Sequence, residues 1–176
     1  TTLVRDQAAA LGDAAGRAQA LSDLAEVHIL RGRTHEAVPL LEEACGLWET
    51  EDPAGWRPYS LAKLGGALAT LDRADEAVAI LEEALELAIR AGDSAVEGII
   101  LGNLGLAFAQ LEDIEASIDY HLRSLAAGRA VGSPALQLAA HGNIGLAYLE
   151  QLRDGSTAIP HYQKELTYIH STDHVV

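Results

Sequence analysis

The sequence of 176 residues contains no methionine, a single cysteine and few aromatic residues, which make up 5% of it. One cysteine, Cys45, cannot form a disulfide within the chain, and such cysteine usage is typical of a reducing, cytoplasmic compartment. With so few aromatic side chains, a packed interior has to be built mainly from Leu, Ala, Ile and Val. Because Ala and Leu are strong helix formers, this composition favours an all-helical protein.

Other absences narrow the classes of partner. No run of about 18 apolar residues occurs, so we expect no membrane-spanning segment. No GxxxxGK[ST] string occurs, so we expect no phosphate loop of that kind. The formal net charge is −14, and an acidic surface repels a phosphate backbone. We therefore predict that this segment contacts neither a membrane nor nucleic acid directly.

A pattern repeats every forty residues along the chain. Self-similarity at a fixed period indicates a stack of supersecondary units rather than one compact core. Each copy opens on a bulky apolar residue followed by a small one, and a second small residue comes later. The opening pairs are Leu24-Ala25, Leu64-Gly65, Leu104-Gly105 and Ile144-Gly145, and the later small residues are Ala37, Ala77, Ser117 and, one step late, Ala158.

Each repeat is predicted to be two helices joined by a tight turn. Apolar residues over 76–89 recur with helical spacing, and no segment alternates with period two. Gly92-Asp93 and Gly132-Ser133 are typical of a helix end followed by the cap of the next helix. We expect helix pairs at 14–31 and 35–50, 54–71 and 74–91, 94–111 and 114–131, and 134–152 and 157–170.

These pairs predict one repeat domain. Residues 1–13 match the tail of a second helix, which suggests a truncated upstream repeat in a longer protein. The four repeats are then expected at 14–53, 54–93, 94–133 and 134–176, the last with a short C-terminal tail.

The repeated pairs resemble the tetratricopeptide repeat family over almost the whole chain. The matching positions are the Leu-Gly pairs, the ring residues Phe108 and Tyr148, and the later alanines. The forty-residue unit exceeds the usual 34 and is similar to the longer repeats of Leu-Gly-Asn adaptors and bacterial regulators. The resemblance implies an all-α, right-handed α-α superhelix of about four helix pairs that binds other proteins.

Three glycines fall inside predicted first helices, where each costs about 1 kcal/mol relative to alanine. We interpret Gly65, Gly105 and Gly145 as positions where the two helices of a repeat cross closely. The small residues expected opposite them are Ala37, Ala77 and Ser117.

Two Gly-Asn pairs mark the predicted partner site. In the family that the chain resembles, first helices line the concave face, so Gly102 and Gly142 would form a trough. The amides of Asn103 and Asn143 would bond the backbone of a bound segment, since an amide both donates and accepts. Alternatively, the glycines loosen helix packing and the asparagines bond locally. Further residues predicted on this face are Tyr59, Lys63, Leu106, Gln110, Leu146 and Glu150.

No pattern in the sequence supports catalysis. His170 and His174 have a spacing that can share a metal on a helix, but the helix is expected to end before them. Cys45 is expected to be a buried, inert thiol. We therefore predict a protein that is not an enzyme and holds no metal or cofactor. Three other histidines are expected to pack, His28 in the core and His121 and His161 between repeats, while Glu42-Glu43 and Glu82-Glu83 should form a solvated face.

The sequence thus predicts a protein-interaction scaffold that binds a peptide or helix, of another protein or of its own parent chain. The parent is expected to be a longer bacterial regulatory protein. Because Lys63 is the only basic residue on the predicted face, recognition of an acidic C-terminal tail is disfavoured. Two alternatives stay open, a small-molecule sensor arm and a structural spacer or oligomerisation array. Uncapped ends also predict weak self-association.

Overall fold

The computed structural model of the protein describes residues 14–50, 52, 55–151 and 153–172. Within these ranges the chain is all-α, with eight α-helices and no strand. The helices come in consecutive pairs, which confirms the fold class predicted from the forty-residue pattern. Their bounds are α1 Ala14–Leu30, α2 Thr34–Thr50, α3 Arg57–Ala69, α4 Ala74–Ala91, α5 Ser94–Gln110, α6 Ile114–Ala130, α7 Pro134–Leu146 and α8 Gly155–Thr172.

Two helices differ from the predicted bounds by three residues or more at one end. The α3 helix begins at Arg57, three residues later than expected, because the Asp52 carboxylate accepts hydrogen bonds from the backbone amides of Trp56 at 2.7 Å and Arg57 at 2.9 Å. The α7 helix ends at Leu146 and continues as a π-helical turn, Ala147–Gln151, where one α-helix up to residue 152 was predicted.

The turns between repeats have the chemistry that the sequence predicts. Gly92 and Gly132 have φ angles of +70° and +64°, which glycine adopts without steric cost. The Asp93 side chain accepts from the first amides of α5, and the Ser133 side chain accepts from an amide of α7. Both caps satisfy donors that the helix itself leaves unpaired. The similar Gly12-Asp13 pair lies outside the described residues.

The chain divides into two compact units between Leu87 and Ala88. In the first unit, α1 packs on α2, and α2 packs on α3. A core cluster joins the first two helices through buried side chains with almost no exposure. Its members are Ala18, Leu21, Ala44 and Trp48.

A chain of buried polar groups crosses this first unit. The Trp48 indole N–H donates to Ser60 Oγ at 3.1 Å, and Ser60 Oγ lies 3.3 Å from Ser22 Oγ. Ser22 Oγ in turn donates to the Ala18 carbonyl at 3.0 Å. Each hydroxyl therefore has a partner, as buried polar groups generally require.

In the second unit, α5 packs on α6, α6 on α7, and α7 on α8. Its core cluster consists of Leu125, Ala140 and Ile144, with Tyr148 packed against it. Nowhere in the described ranges, across both units, is a helix long and apolar enough to cross a bilayer.

The three mid-helix glycines do lie at close contacts, but the residues that face them differ from those predicted. A Cβ atom added to Gly65 would lie 2.4 Å from Leu81 Cγ, and one added to Gly105 would lie 2.5 Å from the His121 ring. At Gly145 the added atom would lie 3.0 Å from the Tyr162 ring. The glycines thus make room for large side chains located about one helical turn beyond the small residues that were expected opposite.

Two of the three histidines pack differently from the prediction. His121 is buried on α6 against Gly105 and shares a small cavity with Asn143 and Leu146 of the fourth repeat, so it lies between repeats as predicted. His161 lies in the fourth repeat, where its Nδ1 is 3.1 Å from Nδ1 of His141. His28 is half-buried rather than in the core, with Nδ1 2.9 Å from Glu36 Oε2.

The remaining structural expectations concern exposure. Cys45 is buried, as predicted, with 7% relative exposure. Glu42, Glu82 and Glu83 are exposed, whereas Glu43 is half-buried and pairs with Arg17. The side chains of the candidate metal pair, His170 and His174, lie outside the described residues.

Candidate functional site

In the first unit, the predicted site residues form a cluster between two first helices. Lys63 on α3 lies 2.6 Å from Glu26 Oε2 on α1, and its ammonium group stands 4.6 Å from the centre of the Tyr59 ring. Tyr59 also meets Trp56 edge to face, with ring centres 6.1 Å apart. The positive charge of Lys63 is therefore already matched by a carboxylate, which weakens it further as a clamp for an acidic tail.

In the second unit, the predicted residues share one face of α5 and one of α7. Asn103, Leu106 and Gln110 follow each other at i, i+3 and i+7, and such positions lie on one side of a helix. Asn143 and Leu146 have the same i, i+3 relation on α7. Leu106 is 37% exposed and Leu146 is 44% exposed, so two large apolar side chains face solvent here. The Glu150 side chain lies outside the described residues.

The two glycines predicted to form a trough are both half-buried. A Cβ atom added to Gly102 would lie 3.4 Å from Ser124 Oγ of α6, whose hydroxyl donates to the Gly98 carbonyl at 2.7 Å. A side chain at position 102 would therefore meet α6, and the place of Gly102 in a trough stays a prediction. Gly142 is half-buried on α7.

A small cavity opens where α5, α6 and α7 meet. Its volume is about 60 Å³. The α5 and α7 helices supply mainly apolar walls, and α6 supplies a polar floor. The lining residues are Leu106 and Ala109 of α5, Ser117 and His121 of α6, and Asn143, Leu146 and Ala147 of α7 and its π-helical turn.

The floor carries two buried polar atoms without a hydrogen-bond partner. Ser117 is fully buried and His121 is 2% exposed, yet neither Ser117 Oγ nor His121 Nδ1 is hydrogen-bonded to any residue that the structure describes. Such groups are rare in folded proteins because each loses its water without compensation. Gly105 holds the imidazole in place from behind, since no side chain could fit between them.

The imidazole on this floor is neutral. Burial lowers the pKa of His121 to about 4, because the buried environment disfavours the charged ring. Among the residues that the structure describes, no Lys, Arg, Asp or Glu side chain lines the cavity. A neutral imidazole can donate or accept through Nδ1, depending on its tautomer, and a serine hydroxyl can do both. The floor is therefore suited to a neutral group that donates and accepts.

A second polar cluster belongs to the fourth repeat. His141 and His161 face each other, and the Tyr148 ring stacks near His161 with centres 6.2 Å apart. Burial lowers the pKa of both histidines, and for His141 the value falls to about 4. Where the structure describes the chain, no group of three or more His, Cys, Asp or Glu is placed to hold a metal ion.

Reasoning from the sequence missed the floor of the cavity. Ser117 was assigned to a helix crossing and His121 to packing between repeats. A signal was nonetheless present, because both residues break the period of forty toward polarity. The equivalent residues one repeat earlier are Ala77 and Leu81.

Comparison with known proteins identifies the repeat. Sequence models described as tetratricopeptide repeat match residues 17–51 and 58–130, which together are more than half of the chain. No curated protein matches the sequence.

Solved structures share the fold at low sequence identity. Aspartyl phosphate phosphatase F from Bacillus subtilis is 16% identical with a TM-score of 0.77, over 90% of this chain and 42% of that one. BtubC from P. vanneervenii is 18% identical with a TM-score of 0.74, over 93% and 70%. Nearly identical TPR-like repeats from Podosopora anserina are 17% identical with a TM-score of 0.68, over 91% and 77%.

These likenesses show the fold alone, and the chain spans less than half the length of the phosphatase. Tetratricopeptide repeats generally serve as non-catalytic scaffolds for contacts between proteins. The paired helices, the period of forty and the two matching sequence models agree, and the chain belongs to the tetratricopeptide repeat family.

Proposed function

We propose that the second unit binds a peptide segment or helix of a protein partner along the face of α5 and α7. The observation that carries this proposal is the exposure of Leu106 and Leu146 beside a polar-floored cavity. Exposed apolar side chains rimmed by polar groups are typical of a protein-binding surface. Single exposed leucines are ordinary, but here two line the same opening.

The amides of this face supply the polar rim. Asn143 forms part of the cavity wall, Asn103 is half-buried on α5, and Gln110 is exposed at the end of the same helix. An amide can pair with either a carbonyl or an N–H group of a bound backbone. These residues support binding of an extended segment, in which backbone groups are available.

The wider role is part of the same proposal. We place this scaffold in a longer bacterial regulatory protein of the cytoplasm. The single cysteine supports the cytoplasm, and the resemblance of the forty-residue repeats to those of bacterial regulators supports the regulatory role.

The cavity gives less support to a role as a small-molecule sensor. A typical ligand pocket has a volume of about 300–1,000 Å³, whereas this cavity has about 60 Å³. A side chain of a bound segment fits its dimensions better than a whole metabolite. A structural spacer or oligomerisation element is the other alternative, and the experiment below distinguishes it.

The test uses displayed random peptides of about twelve residues, selected against the wild-type chain and then measured by calorimetry. We expect the selected peptides to bind the wild type and to lose at least about tenfold in affinity on the double variant Leu106→Asp, Leu146→Asp, because a buried charge without a partner opposes binding. Leu122→Asp on α6 is the matched control, since Leu122 is 46% exposed and does not line the cavity.

Circular dichroism verifies that all three proteins fold. Peptides that bind the double variant as tightly as the wild type would show that the α5–α7 face is not the binding surface. Sedimentation of the same proteins tests the alternative. A wild-type dimer that the double variant abolishes would assign this face to self-association instead.

A further inference from the structure

The cavity under the α5–α7 face is chemically selective, beyond being a place where a peptide could lie. Two buried polar atoms on its floor, Ser117 Oγ and His121 Nδ1, have no hydrogen-bond partner in the described part of the chain. They lie at i and i+4 on α6, so their side chains point the same way. A group that enters the cavity meets both of them.

The size of the cavity limits what can enter. A single water-sized site requires about 10–15 Å³, so about 60 Å³ holds on the order of four non-hydrogen atoms. That is the size of one short polar side chain. The walls formed by Leu106, Ala109 and Leu146 suit a methylene group, with polarity only at the tip.

The charges around the cavity exclude ionised groups. Among the described side chains, none that lines the cavity is acidic or basic, and burial lowers the pKa of His121 to about 4, so the floor carries no positive charge near neutral pH. A carboxylate or an ammonium group would lose its hydration without meeting an opposite charge. The entering group is therefore neutral.

A carboxamide meets these conditions better than a hydroxyl. It carries an acceptor oxygen and an NH₂ donor on one carbon, so it can bond two floor atoms at once. A hydroxyl offers a single atom for both. Asn143, itself an amide, lines the same cavity and can bond either end of such a group.

We propose that Ser117, His121 and Asn143 form a specificity subsite that takes the carboxamide side chain of an asparagine or glutamine in the bound peptide. This inference rests on the proposed peptide-binding function. It adds the residue type that the partner must present. Ser117 and His121 act at the floor, while the exposed leucines hold the neighbouring part of the segment.

The second repeat provides a matched variant. Ala77 and Leu81 occupy the positions equivalent to Ser117 and His121, and Leu81 packs against Gly65 much as His121 packs against Gly105. The double variant Ser117→Ala, His121→Leu therefore gives the third repeat the residues of the second. We expect it to fold, because the same chemistry already packs one repeat earlier.

The experiment takes a peptide selected against the wild-type chain and replaces each of its residues in turn, with asparagine or glutamine changed to the charged isostere and to leucine or methionine. On the wild type, one amide position should dominate, and either replacement there should weaken binding by about tenfold or more, since it strands buried polar groups. On the Ser117→Ala, His121→Leu variant, the leucine or methionine peptide should bind as tightly as the amide peptide, or more tightly.

A second readout does not depend on that variant. The ¹⁵N signals of the His121 imidazole in the wild-type chain should shift when the amide peptide binds and should stay unchanged with the leucine peptide at equal saturation. N-acetylasparagine amide, added alone, tests whether the free side chain suffices. If it binds as tightly as the peptide, the subsite belongs to a small molecule and the peptide assignment is overturned.

The outcomes separate this inference from the function beneath it. If no selected peptide distinguishes the wild type from the double variant Leu106→Asp, Leu146→Asp, the proposed docking face is wrong and the proposed subsite is overturned with it. If peptides depend on those leucines but show no amide preference and leave the His121 signals unchanged, docking stands and the carboxamide subsite is overturned.

Discussion

The second and third repeats use the same two positions for different chemistry. Ala77 and Leu81 on α4 are fully buried and apolar. Forty residues later, Ser117 and His121 on α6 are equally buried, yet each carries a polar atom without a partner. The packing role is kept, because a large side chain fills the space left by a glycine in both repeats.

This difference separates the packing requirement that the repeats share from the polar groups that only the third repeat has. A leucine meets the packing requirement in one repeat, so packing does not explain an imidazole in the other. Leaving a buried donor or acceptor unpaired costs about 1–3 kcal/mol. A polar floor beneath an open cavity is explained if a bound group supplies the missing hydrogen bonds.

The largest effect should come from filling the space behind Leu81 and His121. In Gly65→Ala and Gly105→Ala, the new methyl group would lie about 2.4–2.5 Å from Leu81 or His121, and neither buried side chain can move aside freely. We expect each change to lower the free energy of unfolding by about 1–3 kcal/mol, the usual range for overpacking. Chemical denaturation measures it.

Two other glycines calibrate this series. Gly145→Ala should cost less, because its Cβ would lie 3.0 Å from Tyr162. Gly46→Ala should instead stabilise the protein by about 0.5–1 kcal/mol, since the methyl group meets open space and alanine favours a helix. Equal stability in all four variants would mean that the glycines are not at close contacts.

The next largest effect concerns acid, because His121 in the third repeat should make stability depend on pH whereas Leu81 in the second should not. Burial lowers the pKa of His121 in the folded state to about 4, below its unfolded value of about 6.5. Between these values the unfolded state binds more protons. The contribution of the neutral His121 imidazole to stability is therefore complete above about pH 6.5 and is lost as the pH falls toward 4. Leu81 contributes nothing of this kind.

The size of the loss follows from the two pKa values. Between pH 7 and pH 5, His121 alone should remove about 2 kcal/mol. We expect urea denaturation of His121→Leu to show a loss that is smaller by this amount. His141 and His161, whose pKa values burial also lowers, should act in the same direction and remain in the variant. Identical losses in both proteins would show that His121 is already solvated.

Much of the fold was predictable from local pattern. The spacing of apolar residues and the Gly-Asp and Gly-Ser pairs depend on short-range chemistry, and these placed most helix ends within a few residues of their observed positions. The face that carries Leu106 and Leu146 also follows from helical geometry alone. These elements require no knowledge of which helix packs where.

The cavity floor could not be predicted, because it depends on which residues of α5 and α6 lie opposite each other, and the local sequence pattern does not contain that information. The prediction paired Gly105 with Ser117, while the structure pairs it with His121, one turn along α6. That shift turns Ser117 toward the cavity. The neighbour of Gly102 could not be predicted for the same reason, since only the packing of α6 shows that Ser124 lies against it.

A third comparison should distinguish paired from unpaired serines. Ser60→Ala in the first unit would strand the buried Trp48 indole N–H, which now donates to Ser60 Oγ at 3.1 Å. We expect a loss of about 1–3 kcal/mol in the free energy of unfolding. Ser117→Ala in the second unit breaks no hydrogen bond and should be neutral or slightly stabilising. Equal losses at both serines would show that Ser117 is paired in solution.

The smallest effect concerns the buried thiol of the first unit, which can be compared with the imidazole of the second. Burial raises the pKa of Cys45 to about 12 and lowers that of His121 to about 4, so both groups are kept neutral. They differ in access, because His121 lines a cavity.

The thiolate is the reactive form, so at pH 8 a shift from 9.0 to about 12 reduces its fraction by roughly a thousandfold. We expect an aromatic disulfide reagent to leave Cys45 unmodified in the native protein and to titrate one thiol rapidly in urea, with no change in native stability. Rapid native labelling would show that the core of the first unit opens locally, and its Leu-and-Ala packing could then no longer serve as the rigid reference for the third repeat.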